Sequence, residues 1–236
     1  MTNAPEQKHR ILRKFLPRSM QPLARGIRKR FFDSRRPNDE PFHTVFPYTQ
    51  VNRKRQENLL RLARNVEANK IPGAIVECGV LDGGTAAIMA FATAGSAREV
   101  HLFDSWQGLP KTTEKDGVEA KVWEGECVGS QTRVRSVMNL LKIPGERLHF
   151  HQGWFQDTFP VTSIERIALL HIDADFYDSV RLSLETWFPK ISPGGYVQFD
   201  DYEAFIGCTR AVDEFLSDRP GLKLSNEGMG YYIEKR

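Results

Sequence analysis

Long apolar runs, paired cysteines and phosphate-binding glycine patterns are all missing from these 236 residues. No hydrophobic stretch approaches the roughly 18 residues that a membrane span needs. The amino-terminal residues are basic but lack the apolar segment of a secretory signal. The three cysteines, Cys78, Cys127 and Cys208, are scattered with no CxxC pair, which argues against a disulfide framework and a cysteine zinc site alike. The expected compartment is therefore the cytoplasm. There is no internal repeat or low-complexity tract, and the G-x-G-x-x-G spacing of dinucleotide binders is absent.

What is present suits one α/β domain with additions. Hydrophobic residues make up 40% of the chain, with 15 Phe and 4 Trp to fill a core. The net charge of +3 hides an asymmetry. Residues 1–40 carry 11 Lys/Arg against 4 Asp/Glu, and residues 41–236 carry 22 against 26. The basic head mixes Leu, Ile and Phe with Arg and Lys, so it is a candidate contact for an anionic membrane, nucleic acid or an acidic substrate. The competing reading is a solvated leader that packs on the domain or on a second subunit of a homo-oligomer. Pro37 and Pro41 mark a linker after it. The expected divisions are a basic extension at 1–40, a lid and helix at 41–70, and the main domain at 71–236.

The spacing of Leu59, Leu60, Leu62, Ala63 and Val66 predicts a helix over 52–69. Strands are expected at 74–79, 100–104, 148–152, 167–173 and 196–200. Helices are expected from about 85 to 94, 131 to 142, 179 to 188 and 207 to 217, with a polar excursion at 108–129 and a break at Ser192–Gly195. Strands alternating with helices imply a parallel sheet covered on both faces, with ligands beyond its carboxyl edge. Two short segments near the carboxyl terminus, LKLSN and MGYYIEK, supply an antiparallel edge.

Two groups of residues carry chemistry. In VECGVLDGGTA, Glu77, Gly79, Gly83 and Gly84 occupy the first strand-to-helix turn. Glycines there admit a ligand close to the backbone, and the helix start offers free N–H groups. An acid at this point repels pyrophosphate but accepts a bond from an ammonium group, so the spacing favours S-adenosylmethionine over a dinucleotide. Asp104, ending the next strand, is placed to accept from both ribose hydroxyls. The second group is Asp173 and Asp175 in LLHIDAD with Asp200 and Asp201 in YVQFDD. Four carboxylates on one rim repel unless neutralised, and hard oxygen donors suit Mg²⁺ or Mn²⁺. Alternation along a strand turns Asp173 and Asp175 the same way. Asp200 and Asp201 share a pocket only if the chain turns there. His101, His149, His151 and His171 fall in expected strands without ligand spacing on a helix, and read as structural.

These motifs resemble the macrocin O-methyltransferase family, which methylates sugar hydroxyls on antibiotics. The resemblance rests on YT at 48–49 with Arg55, IPGAIVECGVLDGGT at 71–85, LFDSWQGLP at 102–110, GWFQDTFP at 153–160, HIDADFYDS at 171–179 and SPGGYVQFDDYEAFIGCTRAVDEF at 192–215. It implies a Rossmann-like class I methyltransferase fold: a mostly parallel seven-stranded sheet with an antiparallel edge strand and helices on both faces. It implies that Asp173, Asp200 and Asp201 hold Mg²⁺ (or Mn²⁺) and that Asp175 is the general base; Tyr177 or a metal-bound hydroxide is the next candidate for the base. Tyr48, Thr49, Glu77, Gly79, Gly83, Thr85, Asp104, Ser105 and Trp154 would contact S-adenosylmethionine, Tyr48 and Thr49 as part of a lid over 42–56. The carboxylate arrangement also looks like that of catechol O-methyltransferase, whose base is a lysine where Phe176 stands here. Leu81 and Asp82 stand where the sugar enzymes commonly carry an aromatic and an Arg or Lys. The acceptor implied is a small glycosylated molecule. A catechol-like phenol and a lipid-linked or polysaccharide sugar are the alternatives within the reaction. A nucleotide or nucleic-acid module is the alternative outside it, disfavoured by the acidic rim.

Overall fold

The computed structural model describes residues 39–227 and 230–236; the basic extension of residues 1–38 lies outside the described residues. Seven strands form one sheet in the order β3-β2-β1-β4-β5-β7-β6. They are β1 (Ala74–Cys78), β2 (Val100–Asp104), β3 (Leu148–Gln152), β4 (Ile167–Ile172), β5 (Ile191–Phe199), β6 (Leu224–Glu227) and β7 (Gly230–Glu234). The first five run parallel. Strand β7 returns antiparallel between β5 and the outermost strand β6. The order reverses at β1, between β2 and β4, which opens a crevice at the carboxyl edge.

Helices α1 (Phe42–Val45), α2 (Arg53–Ala68), α3 (Gly84–Ala92) and α4 (Gln131–Leu140) are associated with one face. Helices α5 (Phe155–Thr158), α6 (Tyr177–Trp187) and α7 (Ile206–Ser217) are associated with the other. The alternation of strand side chains divides the core accordingly. Ile75, Leu102 and Leu169 pack with Leu59, Leu62, Ile88 and Val134. Val76, Phe103, Leu170 and Ile172 pack with Val180, Leu184, Trp187 and Phe215. Helix α2 begins at Asn52, whose side chain accepts from the Arg55 N–H at 3.1 Å.

One expectation needs correction, and two contacts were not foreseen. The Ser192–Gly195 stretch, expected to precede the strand at 196–200, lies within it, because β5 already starts at Ile191. Ile167 faces Ile191 and Leu169 faces Tyr196, so a bulge absorbs the proline and both glycines. The segment after the expected linker is packed: Arg53 pairs with Asp39, and Phe42 and Val45 are buried against α2 and α3. Three of the histidines, finally, form a group that their spacing did not indicate. His101, His149 and His151 gather on one face of β2 and β3 with ring centroids 4.7 and 5.3 Å apart. Burial lowers the pKa of His101 and of His151, the latter to about 4.

Candidate active site

The carboxyl ends of β1, β2, β4 and β5 each deliver an acid to the crevice. Gly79 follows β1 with φ +88, and a side chain there would collide with the Asp173 carbonyl oxygen. The β1 and β4 ends are thereby drawn together, with Asp173 N donating to Cys78 O at 2.9 Å. Gly83 (φ +84) starts α3. At Gly84 a Cβ would stand 2.6 Å from the Thr49 Cβ. Tyr48 and Thr49 therefore lie directly on the first turn of α3. Arg133 of α4 holds this segment from the other side, donating to Pro47 O at 2.7 Å with its guanidinium 4.7 Å from the Tyr48 ring. The same guanidinium lies 2.9 Å from Asp82. Asp82, where the family commonly has a base, thus has a cation supplied by α4.

Glu77 is fully buried at the end of β1. Its Oε1 lies 2.8 Å from His171 Nδ1 on the neighbouring strand, its Oε2 has no hydrogen-bond partner, and the Thr85 side chain favours its charged form. Burial is the largest influence and raises its pKa. Asp104 is more committed than its position suggested. Its Oδ2 accepts from Val80 N and Leu81 N at 2.8 Å each, and its Oδ1 from Trp106 N at 2.6 Å. Of the roughly four acceptor positions of a carboxylate, one is left for a ligand. Ser105 accepts from Gln107 N at 3.0 Å inside its own turn. Trp154 follows β3 at the start of α5, next to Gly153, whose N–H donates to Asp104 O.

Asp173, Asp200 and Asp201 converge: one oxygen from each lies within 4.8 Å of the others. Asp200 is 5% and Asp201 1% exposed, and Oδ1 of Asp200 has no hydrogen-bond partner. Both enter the pocket because β5 ends at Phe199 and the chain turns, with Ala204 N and Phe205 N donating to Asp201 O. Asp175 arrives differently from the expected alternation. Strand β4 stops at Ile172, and Asp175, at φ +54, is the centre of a tight turn in which Phe176 N donates to Ala174 O at 2.6 Å. Its own N–H donates to Asp201 Oδ2 at 3.1 Å, tying base and metal candidates into one unit.

Sequence reasoning missed three supporting groups. Arg55 of α2 reaches Asp200 Oδ2 at 3.2 Å and offsets part of the acidic charge. Asp116, from the polar excursion, accepts Tyr177 N at 2.6 Å and fixes the start of α6. His171 is the buried partner of Glu77 rather than a structural filler. Only Arg55 had a sequence signal, in its spacing after Tyr48-Thr49. The Tyr177 hydroxyl donates to Glu214 at 2.5 Å.

Burial, then Asp200, Asp201, Asp175 and Glu77 in turn, push the Asp173 carboxyl well above its ordinary value of 3.8. A carboxyl weaker in the fold than in the unfolded chain binds more protons when folded, so stability falls as pH rises through that interval. In chelator, the denaturation midpoint should fall as pH is raised above about 4, and Mg²⁺ should remove the fall. Asp173→Asn should flatten the chelator curve. Urea midpoints that show no cation-sensitive slope would mean that the cluster is not under charge strain.

A sequence model of the macrocin-O-methyltransferase family matches residues 2–223. The demethyldecarbamoylnovobiocin O-methyltransferase of Streptomyces niveus is 35% identical over 177 residues, 71% of this chain and 67% of that one. The mycinamicin III 3''-O-methyltransferase of Micromonospora griseorubida is 32% identical over 203 residues, 81% and 78% of the two chains. Among solved structures, the O-methyltransferase NovP superposes with a TM-score of 0.72 at 31% identity, over 80% of this chain and 82% of that chain. The calicheamicin methyltransferase CalS11 shares the fold, with a TM-score of 0.66 at 20% identity over 94% and 96%.

Proposed function

The chain belongs to the macrocin-O-methyltransferase family and is an O-methyltransferase, and from this premise we propose that it methylates a sugar hydroxyl of a glycosylated natural product. The proposed methyl donor is S-adenosylmethionine and the proposed cation is Mg²⁺ or Mn²⁺. The observation that carries the reading is the convergence of three buried or half-buried carboxylates, one of them, Asp200, with an unpartnered oxygen, beside the glycine turn.

Asp173, Asp200 and Asp201 would hold the cation, a hard-oxygen set that fits it. Glu77 would meet the donor's ammonium with its unpartnered Oε2, and Asp104 would take a ribose hydroxyl at its remaining position. Gly79 and Gly83 would admit the donor to the turn, with Thr85, Ser105 and Trp154 at its border and Tyr48 and Thr49 covering it. When bound, the donor supplies a sulfonium methyl and the cation supplies positive charge against a developing alkoxide. Asp175 accepts the proton of the acceptor hydroxyl, so its oxygen can form the new C–O bond as the C–S bond breaks. Arg55 aims Asp200 through their ion pair. The segment from Phe42 to Gln56 excludes bulk water from the reacting pair.

Methyl transfer from labelled S-adenosylmethionine to a panel of glycosylated natural products and catechols tests the acceptor class. Product only from catechols would replace the sugar reading. For the donor site, calorimetry should show affinity for S-adenosylmethionine reduced about tenfold or more in Glu77→Ala, the scale of a charge-assisted hydrogen bond. Asp104→Ala should lose at least as much, because Val80 N, Leu81 N and Trp106 N lose their acceptor as well. Wild-type affinity in both variants would remove the site from this crevice, and tight NAD binding would point to a dehydrogenase.

A further inference from the structure

The histidines on β2 and β3 lie at the other end of β2 from Asp104, away from the carboxylate rim. His101 Nε2 stands 3.2 Å from Glu99 Oε2, and His149 Nε2 stands 3.7 Å from Glu99 Oε1. One ligand atom from each of Glu99, His101 and His149 lies within 4.8 Å of the others. His149 Nε2 is buried and has no hydrogen-bond partner, although its side chain is 38% exposed.

A hydrogen-bond chain decides which nitrogens carry lone pairs. The Thr162 hydroxyl donates to Thr158 O at 2.8 Å, so its oxygen accepts from His151 Nδ1–H at 3.3 Å. His151 Nε2 is then the bare nitrogen and accepts from His101 Nδ1–H at 3.0 Å. That leaves the lone pair of His101 on Nε2, aimed at a carboxylate oxygen. Two lone pairs facing each other at that distance repel unless a second proton on the imidazole or a metal ion lies between them. An imidazole held in one tautomer by a bond to its other nitrogen is how metal-binding histidines are oriented.

We propose that Glu99, His101 and His149 form a second cation site, for a divalent transition metal of borderline softness such as Zn²⁺. Two imidazoles and a carboxylate suit Zn²⁺, whereas the all-oxygen rim suits Mg²⁺, so the two sites sort two kinds of ion. Bonds of roughly 2.0–2.1 Å in tetrahedral geometry put ligand atoms about 3.3 Å apart. The separations from Glu99 bracket that value, and Glu99, 60% exposed, can adjust. Solvent supplies the fourth ligand. The ion ties the edge strand β3 to β2, so its effect is on stability and not on methyl transfer.

The test uses the full-length protein with saturating Mg²⁺, titrated with Zn²⁺ by calorimetry and with Co²⁺ by visible absorption. One Zn²⁺ should bind per chain and raise Tm by roughly 5–10 °C at a hundredfold excess over Kd. His149→Ala and Glu99→Gln should each weaken binding tenfold or more, with Tm in chelator unchanged for the partly exposed His149. Asp200→Ala should bind Zn²⁺ as wild type does. Equal binding by wild type and His149→Ala, or loss of binding in Asp200→Ala alone, would overturn the site. So would nitrogen NMR showing His101 doubly protonated at neutral pH in a protein that takes up no Zn²⁺.

Discussion

Asp175→Asn is expected to lower kcat by about 10²–10⁴-fold while metal and methyl-donor binding persist, because an amide does not accept the acceptor's proton. The substitution is structurally mild. Asp175 holds φ +54, a conformation that Asn tolerates about as well as Asp. Its contact with Asp201 is made through the backbone N–H, which the change leaves in place. Removing its charge also relieves one of the repulsions on Asp173, so metal affinity should hold or rise. Raising Mg²⁺ should therefore recover none of the lost rate. A steady-state profile with near-normal kcat would show that the proton leaves by another route.

Metal removal should produce the other large effect. Chelation should abolish turnover, and added Mg²⁺ should restore it, if the three converging carboxylates act as the cation site. Asp173→Ala and Asp200→Ala should raise the Mg²⁺ requirement by at least the 10–100-fold typical of losing even an outer-shell partner. Part of the rate should return at high Mg²⁺. Asp201→Ala should be less recoverable, because Asp201 Oδ2 also accepts the Asp175 N–H and its loss frees the base. The comparison of activity against Mg²⁺ concentration across the three variants separates holding the ion from aiming the base. A fully chelated enzyme running at full speed would make the cluster structural and end the proposed mechanism.

The two effects follow from one feature, the hydrogen bond that couples Asp175 to Asp201 across the ends of β4 and β5. Losses in Asp175→Asn and Asp201→Ala should for that reason be less than additive when combined, as for any pair sharing a partner. Arg55 extends the unit to α2, so residues preceding the sheet help hold its rim.

The sequence by itself determined the sheet, the helices on its two faces and the rim on which the acids stand. These rest on local signals: periods of two and 3.6, glycines after β1, and an acid at the end of each of several strands. The boundaries of β2 and β3 were readable to the residue, and α2 and α7 within one. Features made by chain segments far apart were not readable. Strand alternation would have aimed Asp175, but β4 stops at Ile172 and a positive-φ turn aims it instead. Glu77 was read as an acceptor for an ammonium group, but its full burial and its partnership with His171, 94 residues away, were not readable. Asp104 gave away most of its acceptor capacity to backbone N–H groups of the turn after β1. Nothing in the spacing of His101, His149 and His151 suggests a cluster, because parallel pairing of β2 with β3 is what sets them side by side. A strand pattern says which face a side chain leaves from; only the packed neighbours decide what it meets there.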